Sequence, residues 1–130
     1  MSVLARALVL ALLLLTPACG VALVVAGGAV GVWAYDENAE DGGTIVLPYT
    51  ADQVLRVAEG VARERGGEVE VFRGSRRIEC VIEDINVKFH VLEVAGNDEV
   101  CELKVRARTL WRGRADLAED LAITVQDRLG

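Results

Sequence analysis

Cys101-Glu102-Leu103-Lys104-Val105-Arg106-Ala107-Arg108 decides the fold. Every second residue is apolar or small, and the residues between them are charged. Side chains alternate between the two faces of a strand, so this run is a strand with one face on a core and one in water. The same period recurs upstream. In Arg77–Glu83 it places Ile78, Cys80 and Ile82 on one face, and in Val87–Val91 it sets Val87, Phe89 and Val91 against Lys88 and His90. Glu68–Val71 alternates more briefly. Arg73-Gly74-Ser75-Arg76, Asp84–Asn86 and Gly96-Asn97-Asp98 are the reversals between these runs. Thr44–Leu47 adds a short β-rich run closed by Pro48. Strands with a single polar face predict an antiparallel sheet covered on one side only.

Two helical stretches supply the cover. Thr50 and Gln53 have the spacing of a capping box. Behind them Val54, Leu55, Ala58, Val61 and Ala62 repeat at three and four residues, and Gly66-Gly67 stops the run, which predicts a helix over 51–65. After Gly113, Asp116 and Glu119 read as a cap pair, and Leu117, Leu121, Val125 and Leu129 fall four apart on one face. The order β-α-β-β-β-β-α predicts an α+β two-layer sandwich, an antiparallel sheet with both helices on one face.

Charge divides the chain of 130 residues sharply. Residues 1–35 contain one charged side chain, Arg6, whereas the remainder carries a net charge of −7. An acidic domain repels phosphate backbones, which argues against nucleic-acid binding. It suits a soluble body held on a tether.

The first 35 residues read as export and attachment. Arg6, the apolar run Ala7–Leu15 and Thr16-Pro17-Ala18-Cys19 follow the layout of a secretory signal. The run is too short to cross a bilayer as a helix, which takes about 20 residues. Ala18-Cys19 resembles a lipobox, the site at which bacterial lipoproteins are acylated on cysteine and cleaved before it. Thr16 stands where lipoboxes usually carry an aliphatic residue. A second apolar stretch, Val21–Tyr35, is about 22 Å long as a helix, short of the ~30 Å hydrocarbon core. Its Trp33 and Tyr35 read as residues stopping at a headgroup interface. The expected organisation is a signal peptide over 1–18, a lipid-anchored leader over 19–35, a polar linker over 36–43 and the α+β domain over 44–130. The alternative is an uncleaved anchor spanning Ala7–Tyr35 with tilt. Both readings put the domain outside the cytoplasm.

An N-terminal signal with cysteine, an apolar Gly/Ala-rich leader, one strand, a capped helix, several strands and a final helix together resemble a family of small bacterial lipoproteins without an assigned activity. Tyr49-Thr50-Ala51-Asp52-Gln53-Val54 and the ending from Leu110 to Leu129 carry most of the likeness. The resemblance implies location and fold. The one family residue it places on this chain is the lipidation cysteine, Cys19. Gly20 after that cysteine implies, by analogy, the outer membrane of a two-membrane cell, facing the periplasm.

Candidate chemistry is sparse. Cys80 and Cys101 are left over once Cys19 is assigned to the anchor, and an oxidising compartment invites a disulfide. They fall on the second and fourth of four successive strands, ~9–10 Å apart in a simple meander and beyond bridging distance. Buried free thiols are the alternative. His90, the one histidine, stands beside Lys88 without the Cys or carboxylate spacing of a metal site or a nucleophile motif. No catalytic residue, metal ligand or cofactor is expected. Lys104, Arg106, Arg108, Arg112 and Arg114 concentrate positive charge on one strand face and the turn after it. They read either as a contact for anionic headgroups or an acidic envelope protein, or as a solvated face paired with acids such as Glu83 or Glu93. Trp111 reads either as a core cap for the last helix, the favoured reading, or as an exposed anchor. The expectation is a non-enzymatic envelope binding module. The alternative is a carrier of a small hydrophobic ligand between sheet and helices.

Overall fold

A computed structural model describes residues 24–25, 28–37 and 39–130. Cys19 and the signal peptide over 1–18 lie outside the described residues. The chain is an α+β two-layer sandwich. Its elements are β1 (Val24–Val25), β2 (Gly28–Ala29), β3 (Ala34–Tyr35), β4 (Gly42–Leu47), α1 (Ala51–Arg65), β5 (Gly67–Phe72), β6 (Arg77–Ile82), β7 (Ile85–Val94), β8 (Asn97–Arg108) and α2 (Ala115–Leu129).

The main sheet is antiparallel with the order β3-β4-β8-β7-β6-β5. The chain leaves β4, crosses by α1 to the far edge and returns strand by strand until β8 pairs with β4. The alternation read in the sequence sets which side is dry. Ile45, Leu47, Ile78, Cys80, Val87, Phe89, Val91, Cys101, Leu103 and Val105 are buried under the helices. Register keeps them together, since Phe89 stands opposite both Ile78 and Val105.

The helix α1 forms as its sequence predicts. Thr50 Oγ1 accepts from the Gln53 amide at 3.3 Å, and Gln53 Oε1 accepts from the Thr50 amide at 3.0 Å. Two orphan donors of the first turn are thereby satisfied. The cap pair expected for α2 does not form. Arg114 is the N-cap residue with no side-chain cap bond, and the Glu119 carboxylate instead accepts from the Tyr35 hydroxyl. Between the helices, Arg65 reaches Asp120 at 2.7 Å and Arg128 reaches Glu64 at 2.5 Å.

Two expected boundaries are corrected. Gly42 and Gly43, assigned to the linker over 36–43, are the first residues of β4, and Asp41 before them is 7% exposed. The reason is close approach: a Cβ on Gly43 would lie 2.2 Å from the Ala34 carbonyl oxygen and 2.8 Å from the Trp33 ring. The leader assigned to 19–35 also gives its last residues to the fold. Val30 bridges to Val46, and Ala34 and Tyr35 pair with Thr44 and Gly43. The Trp33 and Tyr35 rings meet edge to face at 5.9 Å. Trp33 packs on the core and Tyr35 bonds to α2, so this aromatic pair belongs to the domain rather than to a headgroup interface. Gln126 Nε2 donates to the Gly31 carbonyl at 3.1 Å and fastens the strap further.

Candidate functional site

The face of the sheet turned away from the helices is open, and its side chains form cross-strand rows. Arg106, Lys88, Glu79 and Glu70 stand opposite one another in one row, on β8, β7, β6 and β5. Lys104, His90, Arg77 and Phe72 make the next. The sheet forms an open groove of about 740 Å³ over the first of these rows. Glu68, Glu70 and Glu79 line its β5–β6 side, and Lys88, Arg106 and Arg108 line its β7–β8 side. Thr109 and Leu110 contribute at the end of β8.

The carboxylate side is not at an electrostatic minimum. Glu70 stands directly opposite Glu79, a like-charge pair that costs rather than stabilises. Lys88 at 3.5 Å and Arg77 at 3.7 Å compensate Glu79. Glu68 and Glu70 form no ion pair among the described residues. Glu68 also has φ +53°, an unfavourable value for a side chain larger than glycine, at the bulge between Gly67 and Glu70.

The basic stripe is mostly answered from within the chain. Arg106 donates to Asp36 Oδ2 at 3.0 Å and to Asp41 Oδ1 at 3.2 Å. Arg108 lies 4.0 Å from the other Asp41 oxygen. Arg114 grips Asp116 with two bonds of 3.0 Å, which hold that carboxyl down at about 2. Lys104 and Arg112 form no ion pair among the described residues. The partners are Asp36, Asp41 and Asp116; Glu93 pairs instead with Arg76 at 2.9 Å.

His90 is half-buried, and its register neighbours are Arg77 and Lys104. Its ladder neighbours are thus two cations, and among the described residues no carboxylate bonds to it. Among the described residues no three His, Cys, Asp or Glu side chains gather as metal ligands.

Cys80 and Cys101 are free and buried. β7 lies between their strands, as a meander requires. Burial pushes both thiols up to about 11. Thiolate is the reactive form, so alkylation by iodoacetamide at pH 8 should be far slower in native protein than in denaturant. Mass spectrometry of the labelled protein measures this; equal rates in both states would contradict the burial. The raised pKa also has a sign. The stability it contributes is fully present below the ordinary thiol pKa near 9 and is lost as pH rises through about 11.

One feature reverses a sequence expectation. Trp111, read as a core cap, is 92% exposed, and Leu110 beside it is 87% exposed. The pair forms the tip of a turn after β8. Thr109 Oγ1 accepts from the amides of Arg112 at 3.0 Å and Trp111 at 3.4 Å, and the Thr109 amide donates to the Arg112 carbonyl at 2.9 Å. Arg108 and Gly113 bridge behind the turn. A threonine that closes its own turn was the available signal.

No family model matches the chain, and no curated protein matches it.

Proposed function

We propose that the chain is an exported bacterial lipoprotein. It is cleaved before Cys19 and acylated there, and it holds a non-enzymatic α+β binding module on the membrane outside the cytoplasm. In a two-membrane cell that surface is the periplasmic side of the outer membrane. The observation that carries the binding reading is the open, charge-lined groove of about 740 Å³ on the uncovered face of the sheet. A partner that brings a cationic group to Glu68 and Glu70 would relieve their uncompensated charge. The net charge of −7 after residue 35 disfavours nucleic acid.

The strap bears on how the chain is held. A helix spanning Ala7–Tyr35 would place Val30, Ala34 and Tyr35 in hydrocarbon, yet these residues pair with β4. What remains before Val24 is marginal in length and contains Pro17. Among the described residues no helix is long and apolar enough to cross a membrane. The pairing of Val30, Ala34 and Tyr35 with β4 favours lipid on Cys19 over a span that includes them. The space between sheet and helices is filled by side chains such as Phe89, Leu103, Leu121 and Val125, each fully buried. That filling favours a surface-binding module over a carrier of a small hydrophobic ligand.

Mass spectrometry of the mature N-terminus tests the proposal. The expected product begins at Cys19 and carries a diacylglyceryl thioether. Cys19→Ser should leave an unprocessed chain without lipid. Recovery of the wild-type chain from cytosol, full-length and freely soluble, would overturn the reading.

A further inference from the structure

We infer that the Leu110–Trp111 tip is a second membrane contact, one that inserts at the phospholipid headgroup level. The inference rests on the tether proposed above and goes beyond it. Among the described residues the exposed large hydrophobic side chains are Val32, Tyr35, Leu110 and Trp111, and the last two are far the barest. They are adjacent, at the end of the longest strand, on a turn closed by the Thr109 hydroxyl. A turn already fixed by its own hydrogen bonds loses little freedom when it docks.

The chemistry of the tip is that of a lipid interface. Tryptophan settles at the headgroup level, with its ring in the apolar layer and its N–H in water. Arg112, exposed and without an ion pair among the described residues, follows directly. Its planar guanidinium suits phosphate oxygens. Two projecting apolar side chains are far short of the roughly 800 Å² per partner of a stable protein interface. Insertion into lipid asks for no complementary surface. The net charge of −7 after residue 35 opposes a strongly anionic surface, while Arg112 beside the tip suits the phosphate of a zwitterionic phospholipid.

Chain length permits both attachments at once. The chain enters the main sheet at Val30, beside Val46, and Val46 stands opposite Glu102 on β8. From Glu102 to Arg108, just before the tip, the strand advances about 20 Å. β1 and β2 pair back on each other, with Val24 opposite Ala29, so the reach is set by the five residues from Cys19 to Val24, at most about 18 Å, plus about 5 Å across the paired strands. A lipid on Cys19 therefore leaves enough chain for the tip to face the same bilayer. Once tethered, the tip meets the membrane at high effective concentration, so a contact too weak to recruit the protein alone becomes populated.

The test uses the mature acylated chain carrying Trp33→Phe, which leaves Trp111 as its one tryptophan, on vesicles of zwitterionic phospholipid with and without brominated acyl chains. Flotation reads the tether, and tryptophan emission reads the tip. The expected result is flotation with a blue-shifted Trp111 emission, quenching by bromolipid, and several-fold weaker quenching by iodide than in detergent-free solution. Leu110→Ser should reduce the shift without reducing flotation. Flotation with an unshifted Trp111 as open to iodide as in solution overturns the tip contact and leaves the tether standing. A chain that does not float overturns both. If Trp33→Phe does not fold, the difference between the wild-type chain and Trp111→Phe gives the same reading.

Discussion

Phe89→Ala should lower folding stability by about 3–5 kcal/mol, the cost of deleting a buried aromatic side chain and leaving its cavity. Phe89 is fully buried on β7, the strand between β6 and β8, where it faces Ile78 on one neighbour and Val105 on the other. α1 packs over β6, β7 and β8, and α2 packs over β4 and β8, so no single element can move in to fill the space. Domains of this size hold only ~5–15 kcal/mol in total, so the variant loses roughly a fifth or more of its margin. At ~4–8 °C per kcal/mol, the thermal midpoint should fall by at least about 12 °C. Leu92→Ala is the control. Leu92 lies on the same strand beside Glu102 and is half-buried on the open side, so its loss should cost about 1 kcal/mol. Urea midpoints of the two variants measure the difference. Equal costs would mean that the dry side of the sheet has been misplaced.

That sidedness was legible because it is local. Alternation in Cys101–Arg108 and the pair Thr50 and Gln53 each depend on neighbours within a few residues. The structure accordingly begins and ends α1 where the sequence does. What was not legible depends on distant partners. Arg106 is answered by Asp36 and Asp41, 70 and 65 residues away, which only the pairing of β4 with β8 brings near. The groove has the same origin, since Glu68 and Arg108 line it from opposite ends of the later strands. The turn between β6 and β7, read at Asp84–Asn86, falls instead at Glu83-Asp84, between the paired Ile82 and Ile85, for another reason. Glu83 and Asp84 both have positive φ, the geometry of a two-residue hairpin turn, without the Asn or Gly that usually announces it.

The leader shows where composition misleads. Val30–Tyr35 is apolar and lacks charge, which reads as lipid-seeking when nothing else is known. Its partners are β4, which begins with two glycines, and a helix carrying Glu119 and Gln126. Under the proposed lipid anchor, attachment is left to the residues before it.

Gly42→Ala should be the most damaging methyl group that can be added to that strap's seat. A Cβ at Gly42 would lie 2.0 Å from the Val105 carbonyl oxygen and 3.0 Å from the Arg106 Cα. Both are backbone atoms of β8, so no side chain can swing aside to relieve the clash. The start of β4 must then lift from β8, and the pairs Gly42 with Arg106 and Gly43 with Val105 go with it. Asp41 is carried along, because its carbonyl accepts from the Ala107 amide at 2.8 Å and its carboxylate holds Arg106. Overpacking of a fixed interior costs about 1–3 kcal/mol and at times more, and a clash with two backbone atoms belongs at or above the upper end. Gly60→Ala supplies the contrast. Gly60 is exposed within α1 with open space where its Cβ would go, so alanine there should stabilise by about 0.5–1 kcal/mol. Chemical denaturation of the two variants reads opposite signs from the same added methyl. A neutral Gly42→Ala would show that 36–43 behaves as the flexible linker its composition suggests, and that the strap is not seated on the sheet.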